Sequence, residues 1–99
     1  MRVISKRKLR EFWEQHPNAR EPLLDWHNIT RKADWANLAE TRMTFPHADS
    51  VGECTVFNVK GNDYHLITVI KYRARRVYVL HVLTHADYDK ERWKKDCGC

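Results

Sequence analysis

The sequence has no long apolar run, and this absence excludes a class of proteins. Its uninterrupted apolar stretches are only a few residues long, whereas a helix that crosses a bilayer needs roughly 20 apolar residues. The charged start Met1–Lys6 is not followed by the apolar segment of a secretory signal. We therefore expect neither a membrane span nor a signal peptide.

Cysteine is also scarce, with Cys54, Cys97 and Cys99 as the three members. The number is odd, and no C-x-x-C pair faces a second pair at zinc-finger spacing. We therefore expect no disulfide framework, no structural zinc and a cytoplasmic protein. For residues from about 94 to 99 we expect a frayed tail.

Several catalytic motifs are missing as well. There is no Walker A loop, no G-x-G-x-x-G, no G-x-S-x-G and no H-E-x-x-H, which excludes the common nucleotide-binding loops and hydrolase sites. Asp63, Asp87 and Asp89 do not converge as the ligands of a two-metal nuclease would. We expect no metal and no cofactor.

What is present is enough apolar surface for one small domain. The 99 residues are 42% hydrophobic and 11% aromatic, so we expect a single domain over residues 1–99. The net charge of +5 is unevenly spread: residues 1–10 and 55–99 are basic, and residues 11–54 are acidic. This pattern favours a polyanionic partner at surfaces built by the two ends of the chain.

The first half of the chain has helical periodicity. A short strand over Met1–Ile4 precedes a helix with Ser5 as its N-cap, which ends at His16–Asn18. A second helix begins near residues 18–22 and carries Leu23, Trp26, His27 and Thr30 on its inward face. Asp34 is the predicted cap of a third helix with Trp35, Leu38, Ala39 and Met43 inward, and residues 47–52 are predicted to be a turn.

The second half has strand periodicity. Residues 55–59, 64–73 and 76–83 read as three strands with short connections, which form an antiparallel meander. Thr84 and Asp87 give the start signal of a short terminal helix over residues 85–93. The fold class is therefore α+β, in the order β-α-α(-α)-β-β-β, with helices packed on one face of a mainly antiparallel sheet.

The meander and its exit concentrate the side chains that RNA cleavage without a metal requires. In that reaction the ribose 2′-OH attacks the neighbouring phosphate, so the protein supplies a base, an acid and cations. Strand alternation puts His65, Lys71 and Arg73 on one face, and Lys60, Arg75 and Arg76 extend a basic rim. His85 and Tyr88 follow the last strand, where they can reach a cleft. The alternative is a solvated face whose charges serve solubility. His81 is predicted to be a buried core histidine.

Short motifs along nearly the whole chain resemble the HigB-type toxins of bacterial toxin–antitoxin pairs. Their order and spacing carry the resemblance more than any one of them does. The motifs are Lys32-Ala33-Asp34-Trp35, Thr44-Phe45-Pro46, Ala48-Asp49, Val51-Gly52, Val56-Phe57-Asn58, Gly61-Asn62, Tyr64 with Leu66-Ile67, Thr84-His85-Ala86 and Tyr88-Asp89-Lys90.

The resemblance implies a RelE/ParE-like fold and a ribosome-dependent mRNA endonuclease, with mRNA and the ribosome as partners. It also implies inhibition by a HigA-type helix-turn-helix antitoxin. The expected catalytic residues are His85, Tyr88, Arg73 and Lys60. The expected RNA-binding residues are His65, Lys71, Arg75, Arg76 and Asn58. Two other functions stay open: a nonenzymatic toxin of the same fold that blocks DNA gyrase, and a plain RNA- or ribosome-binding module.

Overall fold

A computed structural model describes all 99 residues as a five-stranded sheet with helices. The strands lie in the order β1-β5-β4-β3-β2, with β1 parallel to β5 and all other pairs antiparallel. The predicted α+β class is confirmed. The strands are β1 (Arg2–Ile4), β2 (Asp49–Val51), β3 (Cys54–Val59), β4 (Tyr64–Lys71) and β5 (Arg76–Thr84); the helices are α1 (Lys6–Gln15), α2 (Arg20–Lys32), α3 (Leu38–Thr44) and α4 (His85–Asp89), with 3₁₀ turns at Pro17–Ala19 and Arg92–Cys97.

The main core lies between the sheet and helices α1 to α3. Phe57 of β3 is fully buried at its centre. The rings of Trp26, Trp35 and Phe45 surround it with centroids 5.3 to 6.3 Å away. Large aromatic surfaces buried in this way dominate the stability of a small domain, and the predicted anchoring roles of Trp26 and Trp35 are confirmed.

The opposite face of the sheet has a second, smaller core. Val56 and Ile67 on this face are covered by Trp93 of the C-terminal 3₁₀ helix. Because successive side chains of a strand alternate between faces, Leu66 and Ile70 of β4 point instead into the main core. The predicted alternation of β4 is therefore confirmed, and the C-terminal segment lies on the side of the sheet that α1 to α3 leave open.

The C-terminal segment differs most from its prediction. Cys97 is fully buried and forms a disulfide with Cys54, with the two Cα atoms 5.2 Å apart. The expectations of a frayed tail and of no disulfide are thus wrong for this segment, and Cys99 is the one free cysteine. Two cysteines 43 residues apart in sequence gave no local signal, because only the packing of Trp93 against β3 brings them together.

Four local predictions also need correction. The third helix begins after Asn37, whose side chain accepts from the Glu40 N–H, and not after Asp34. Met43 is 84% exposed rather than inward. Residues 49–51, predicted as part of a turn, form the edge strand β2. His81 is half-buried and pairs with Asp96 at 2.7 Å, and is not a core residue.

The start of the last helix follows the sequence signal. Thr84 is the N-cap of α4, and its hydroxyl oxygen accepts from the Asp87 N–H at 3.2 Å. Ser5 occupies the N-cap position of α1 as predicted, without a side-chain capping bond. The helices are all too short or too polar to cross a bilayer.

The disulfide gives a test of the C-terminal packing. A cross-link that closes a loop of 43 residues restricts the unfolded chain, which stabilises the fold by about 4 kcal/mol in the chain-entropy model. We predict that Cys54→Ser lowers the free energy of unfolding by about 2 to 4 kcal/mol, measured by urea titration under oxidising conditions. Cys99→Ser is the control and should leave the midpoint unchanged. Equal midpoints for Cys54→Ser and the parent would contradict the bond.

Candidate active site

Strand pairing brings the start of α4 next to the β3–β4 turn. Tyr64 at the start of β4 is opposite Thr84 at the end of β5. The His85 N–H donates to the Asp63 carbonyl oxygen at 3.0 Å, and Thr84 caps the helix that follows. His85 is therefore fixed where the sheet ends, with its side chain 46% exposed.

Four side chains form a chain of polar contacts at this place, two of them hydrogen bonds and the last an ion-pair contact. Asn58 is opposite His65 in the β3–β4 pair, and its Oδ1 lies 2.9 Å from His65 Nδ1. The other ring nitrogen, Nε2, lies 3.0 Å from His85 Nδ1. His85 Nε2 lies 3.2 Å from Asp89 Oδ2, one helical turn further along α4. The chain thus runs from the buried sheet to the exposed surface.

Aromatic stacking also holds His65 and Tyr88 in place. The ring of Tyr88 stacks on His65 with centroids 3.9 Å apart and planes 16° apart. The ring of Trp93 also stacks on Tyr88, with centroids 5.1 Å apart, and its indole N–H donates to the Tyr88 carbonyl oxygen at 2.9 Å. The C-terminal 3₁₀ helix therefore helps to hold Tyr88, and Tyr88 covers His65.

Burial sets the protonation of the two inner groups. The pKa of His65 is lowered, first by desolvation and then by the neighbouring His85, while Asp89 and a backbone hydrogen bond to Asn62 oppose this shift. The pKa of Tyr88 is raised, first by burial and then by the carboxylate of Asp49. At neutral pH His65 is therefore a neutral imidazole, and Tyr88 is a phenol that can donate a proton or a hydrogen bond.

A cavity of about 450 Å³ opens beside the cluster. Arg42 of α3 contributes its only cation; its Nε–H donates to the Ala48 carbonyl at 2.9 Å, and its Nη2 lies 3.8 Å from Asp49 Oδ1. The lining residues are Arg42, Pro46, His47, Ala48, Asp49, Val56, Asn58, Asn62, His65 and Tyr88. The polar lining and the adjacent His85 make this cavity the candidate substrate site.

Sequence reasoning missed Arg42 and Asp89. No local pattern signals Arg42, because α3 reaches this cavity only through the tertiary fold. Asp89 had a signal, since its spacing of four residues from His85 on a helix places the two side chains next to each other. Of the residues that were predicted, Asn58, His65, His85 and Tyr88 are brought together here.

Lys60 lies beside this group, in the β3–β4 turn that also contributes Asn62 to the cavity. Its Nζ is 3.9 Å from Asp63 Oδ2, and the Asp63 carbonyl accepts from His85. The structure thus places Lys60 near the cluster, on an exposed turn.

The remaining predicted cations lie elsewhere. Arg73 lies in the turn that follows β4, whose last residue, Lys71, is six residues from His65, roughly 20 Å at the rise of an extended strand. At that end Lys71 of β4 lies opposite Arg76 of β5 in the strand register, and Arg76 lies opposite Arg2 of β1. Arg75 forms an ion pair with Asp34. The structure therefore does not bring Arg73 together with His85. We call this group of Arg2, Lys71, Arg73, Arg75 and Arg76 the basic end.

His65 is buried, and the molecule has no cluster of metal-ligating side chains. His65 was predicted to contact RNA, but it is only 2% exposed, so its ring meets protein groups rather than solvent. No group of three or more His, Cys, Asp or Glu side chains is arranged to hold a metal ion. This geometry can support proton transfer by the imidazole of His85 and the phenol of Tyr88, next to a cavity that Arg42 lines.

A family profile and individual relatives point to the same protein family. A family profile described as HigB_toxin, the RelE-like toxic component of a toxin–antitoxin system, matches residues 19–91. The mRNA interferase HigB of Escherichia coli O6:H1 (strain CFT073) is 30% identical over 93 residues, which cover 91% of this chain and 90% of the relative. The mRNA interferase toxin HigB of Escherichia coli K12 is 25% identical over 92 residues, covering 90% and 88%. The chain therefore belongs to the HigB toxin family, the RelE-like toxic components of toxin–antitoxin systems.

Proposed function

We propose that this toxin is an endoribonuclease that cleaves translated mRNA on the ribosome by attack of the ribose 2′-OH, with no metal ion in the reaction. The observation that carries the proposal is His85, a half-exposed imidazole held by His65 on one nitrogen and by Asp89 on the other, next to the cavity. A relative 30% identical over nine-tenths of both chains carries the name mRNA interferase, which supports the same chemistry.

In the proposed reaction His85 is the general base. Its side chain is 46% exposed, and its Nε2 takes the proton of the 2′-OH, so that the 2′ oxygen attacks the adjacent phosphorus. The bond from phosphorus to the 5′ oxygen breaks, which leaves a 2′,3′-cyclic phosphate and a 5′-hydroxyl end. Asp89 stabilises the imidazolium that forms, because its carboxylate lies 3.2 Å from Nε2.

Tyr88 is the proposed donor to the leaving 5′ oxygen. Its raised pKa keeps the phenol protonated, and its ring lines the cavity beside His65. After donation the phenolate regains a proton from water. Arg42 and Lys60 are the cations that offset charge on the phosphorane-like transition state.

The surroundings of the cluster favour a ribosome-held substrate over free RNA. Arg42 already faces Asp49 at 3.8 Å, and Lys60 faces Asp63 at 3.9 Å. Asp89 adds a third carboxylate, so the field at the site is not positive. Since cations supply most of the affinity of a protein for a nucleic acid, this site alone binds an isolated strand weakly. We infer that the ribosome holds the mRNA, with the basic end about 20 Å away on flanking RNA or ribosomal RNA.

As a toxic component of a toxin–antitoxin system, the chain has a cognate antitoxin. We propose a HigA-type helix-turn-helix protein for this role. Inhibition then requires either coverage of the cavity or a block to ribosome entry.

The test is to map RNA 5′ ends after brief induction in growing cells. Ribosome-dependent cleavage predicts new 5′-hydroxyl ends inside translated codons, absent when translation is blocked beforehand. Intact transcripts together with a DNA damage response would instead indicate a gyrase inhibitor. Intact transcripts with continued growth would indicate a binding module.

The role of His85 gives a specific prediction. Because general acid–base catalysis contributes about 10² to 10⁴ in rate, His85→Ala should slow cleavage of ribosome-bound mRNA by at least about 100-fold and relieve growth arrest. The matched control is His81→Ala, which removes another half-exposed histidine with a carboxylate partner, Asp96, outside the site. Full toxicity in a folded His85→Ala variant would exclude His85 from the mechanism.

Substitution of Arg42 and of Arg73 should distinguish an effect on the chemical step from an effect on RNA binding. A charged hydrogen bond contributes about 1.5 to 3 kcal/mol, so Arg42→Gln should lower the cleavage rate at saturating toxin by about tenfold or more. Glutamine can keep the donor to the Ala48 carbonyl.

Arg73→Gln is the comparison, since Arg73 lies at the basic end. It should raise the toxin concentration needed for half-maximal rate and leave the saturated rate unchanged. If both variants slow the saturated step equally, the proposed separation is wrong.

A further inference from the structure

We infer that Asn58 and His65 are positioning residues that hold the His85 ring in one tautomer, with the proton on Nδ1 and the reactive lone pair on Nε2. The inference rests on the proposed function, in which His85 carries the proton. It assigns a role to the buried His65 and the half-buried Asn58, which the cleavage chemistry itself does not use.

The chain of assignments starts at Asn58. Its side-chain oxygen, Oδ1, lies 2.9 Å from His65 Nδ1. An amide oxygen can only accept a hydrogen bond, so Nδ1 of His65 must carry the hydrogen. Asn58 itself is fixed by the β3–β4 register, in which it lies directly opposite His65.

The second ring nitrogen of His65, Nε2, is the acceptor of a hydrogen bond. The ring is 2% exposed, and burial lowers its pKa, so the neutral form with one N–H is the stable one. That N–H is on Nδ1, and Nε2 therefore presents a lone pair. The atom 3.0 Å from this lone pair is His85 Nδ1, which must donate.

The last assignment fixes the reactive atom. Which ring nitrogen of a histidine carries the proton is set by the hydrogen bond that the other makes. With Nδ1–H of His85 donating to His65, Nε2 is left as the nitrogen that exchanges a proton with the substrate. When Nε2 is protonated, the imidazolium lies 3.2 Å from the Asp89 carboxylate, which stabilises its charge. Both protonation states of His85 thus keep the same bond to His65, and the ring does not need to reorient during the reaction.

Packing holds the positioning pair in place. Tyr88 stacks on His65 at 3.9 Å, and Trp93 stacks on Tyr88 at 5.1 Å, so the imidazole of His65 cannot rotate out of the chain. The titratable and charged groups that face the two histidines are Asp89 and Tyr88 on α4, Arg42 on α3, Asp49 on β2, and Lys60 and Asp63 in the β3–β4 turn.

The direct test is the tautomer of each histidine by long-range proton–nitrogen NMR on the ¹⁵N-labelled protein above pH 7. Both His65 and His85 should be protonated on Nδ1. His65→Phe keeps an aromatic ring against Tyr88 but removes the acceptor, so His85 should lose its Nδ1–H preference. The spectrum of His81, which is bonded to Asp96, should stay unchanged as an internal control. A parent protein with His85 protonated on Nε2 would overturn the inference.

Kinetics supply the second readout. His65→Phe should lower kcat by about tenfold or more with little change in KM, since a wrong tautomer impairs the base and not binding. His65→Gln should recover part of the loss, because its amide can donate to Asn58 and accept from His85 in the same pattern as the neutral imidazole. Equal rates for His65→Phe and the parent would overturn the inference, as would equal losses in the Phe and Gln variants when both are folded.

The pH profile distinguishes positioning from packing. In Asn58→Asp the carboxylate stabilises the protonated form of His65 and raises its pKa, so Nε2 gains a proton and can no longer accept from His85. Activity should therefore begin to fall at a higher pH than in the parent as the solution is acidified. A purely structural role predicts a uniform loss at all pH values, and that result would overturn the inference.

The two proposals fail separately. If no RNA is cleaved by the parent, the proposed function fails and the NMR result still decides the tautomer. If His85→Ala abolishes cleavage while His65→Phe leaves both the tautomer and kcat unchanged, the proposed function stands and the positioning role does not.

Discussion

The antiparallel register of β3, β4 and β5 is the constraint on which the candidate site depends. It sets Asn58 opposite His65 and Tyr64 opposite Thr84, which brings His85 to the nitrogen of His65 that Asn58 leaves free. A slip of one residue would turn His65 to the helix face of the sheet. The apolar alternation that fills the main core with Leu66 and Ile70 therefore also specifies the geometry of the polar cluster, because the same strand supplies both.

Burial of His65 is tolerable because both of its ring nitrogens have partners. A buried polar group without a hydrogen bond costs free energy comparable to its full desolvation. On the helix side of the sheet, Trp26 Nε1, His27 Nδ1 and Thr30 Oγ1 are buried without a protein partner, whereas the chain through His65 has none unpaired. The sheet face beneath the C-terminal segment is thus the place where the fold satisfies a buried polar network, and that network ends at the exposed nitrogen of His85.

Periodicity in the sequence predicted the parts of the fold that are local. The alternation of β4, the inward face of α2 with Leu23 and Trp26, and the Thr84 cap all follow from spacing along one element. Alternation also grouped Arg73 with His65, which the fold does not bring together. It assigns residues to a face but carries no information on position along the strand, and it cannot reveal the roughly 20 Å between His65 and the end of β4. Arg42 and the pairing of Cys54 with Cys97 depend on contacts between distant elements, which no local pattern encodes.

Positive charge is concentrated at the basic end of the sheet, whereas near the cavity it is balanced by carboxylates. Near the cavity both cations already face a carboxylate, Arg42 in the lining facing Asp49 and Lys60 in the adjacent turn facing Asp63, so a phosphate entering there gains little from long-range electrostatics. At the basic end Asp34 offsets only Arg75, and Arg2, Lys71 and Arg76 are adjacent across the strands. Such a cluster of like charges destabilises the isolated protein, and a polyanion relieves this repulsion when it binds. Under the proposed function, a substrate that binds the basic end and is cleaved at the cavity has to extend over both ends of the sheet, which a large RNA assembly does and a short strand does not.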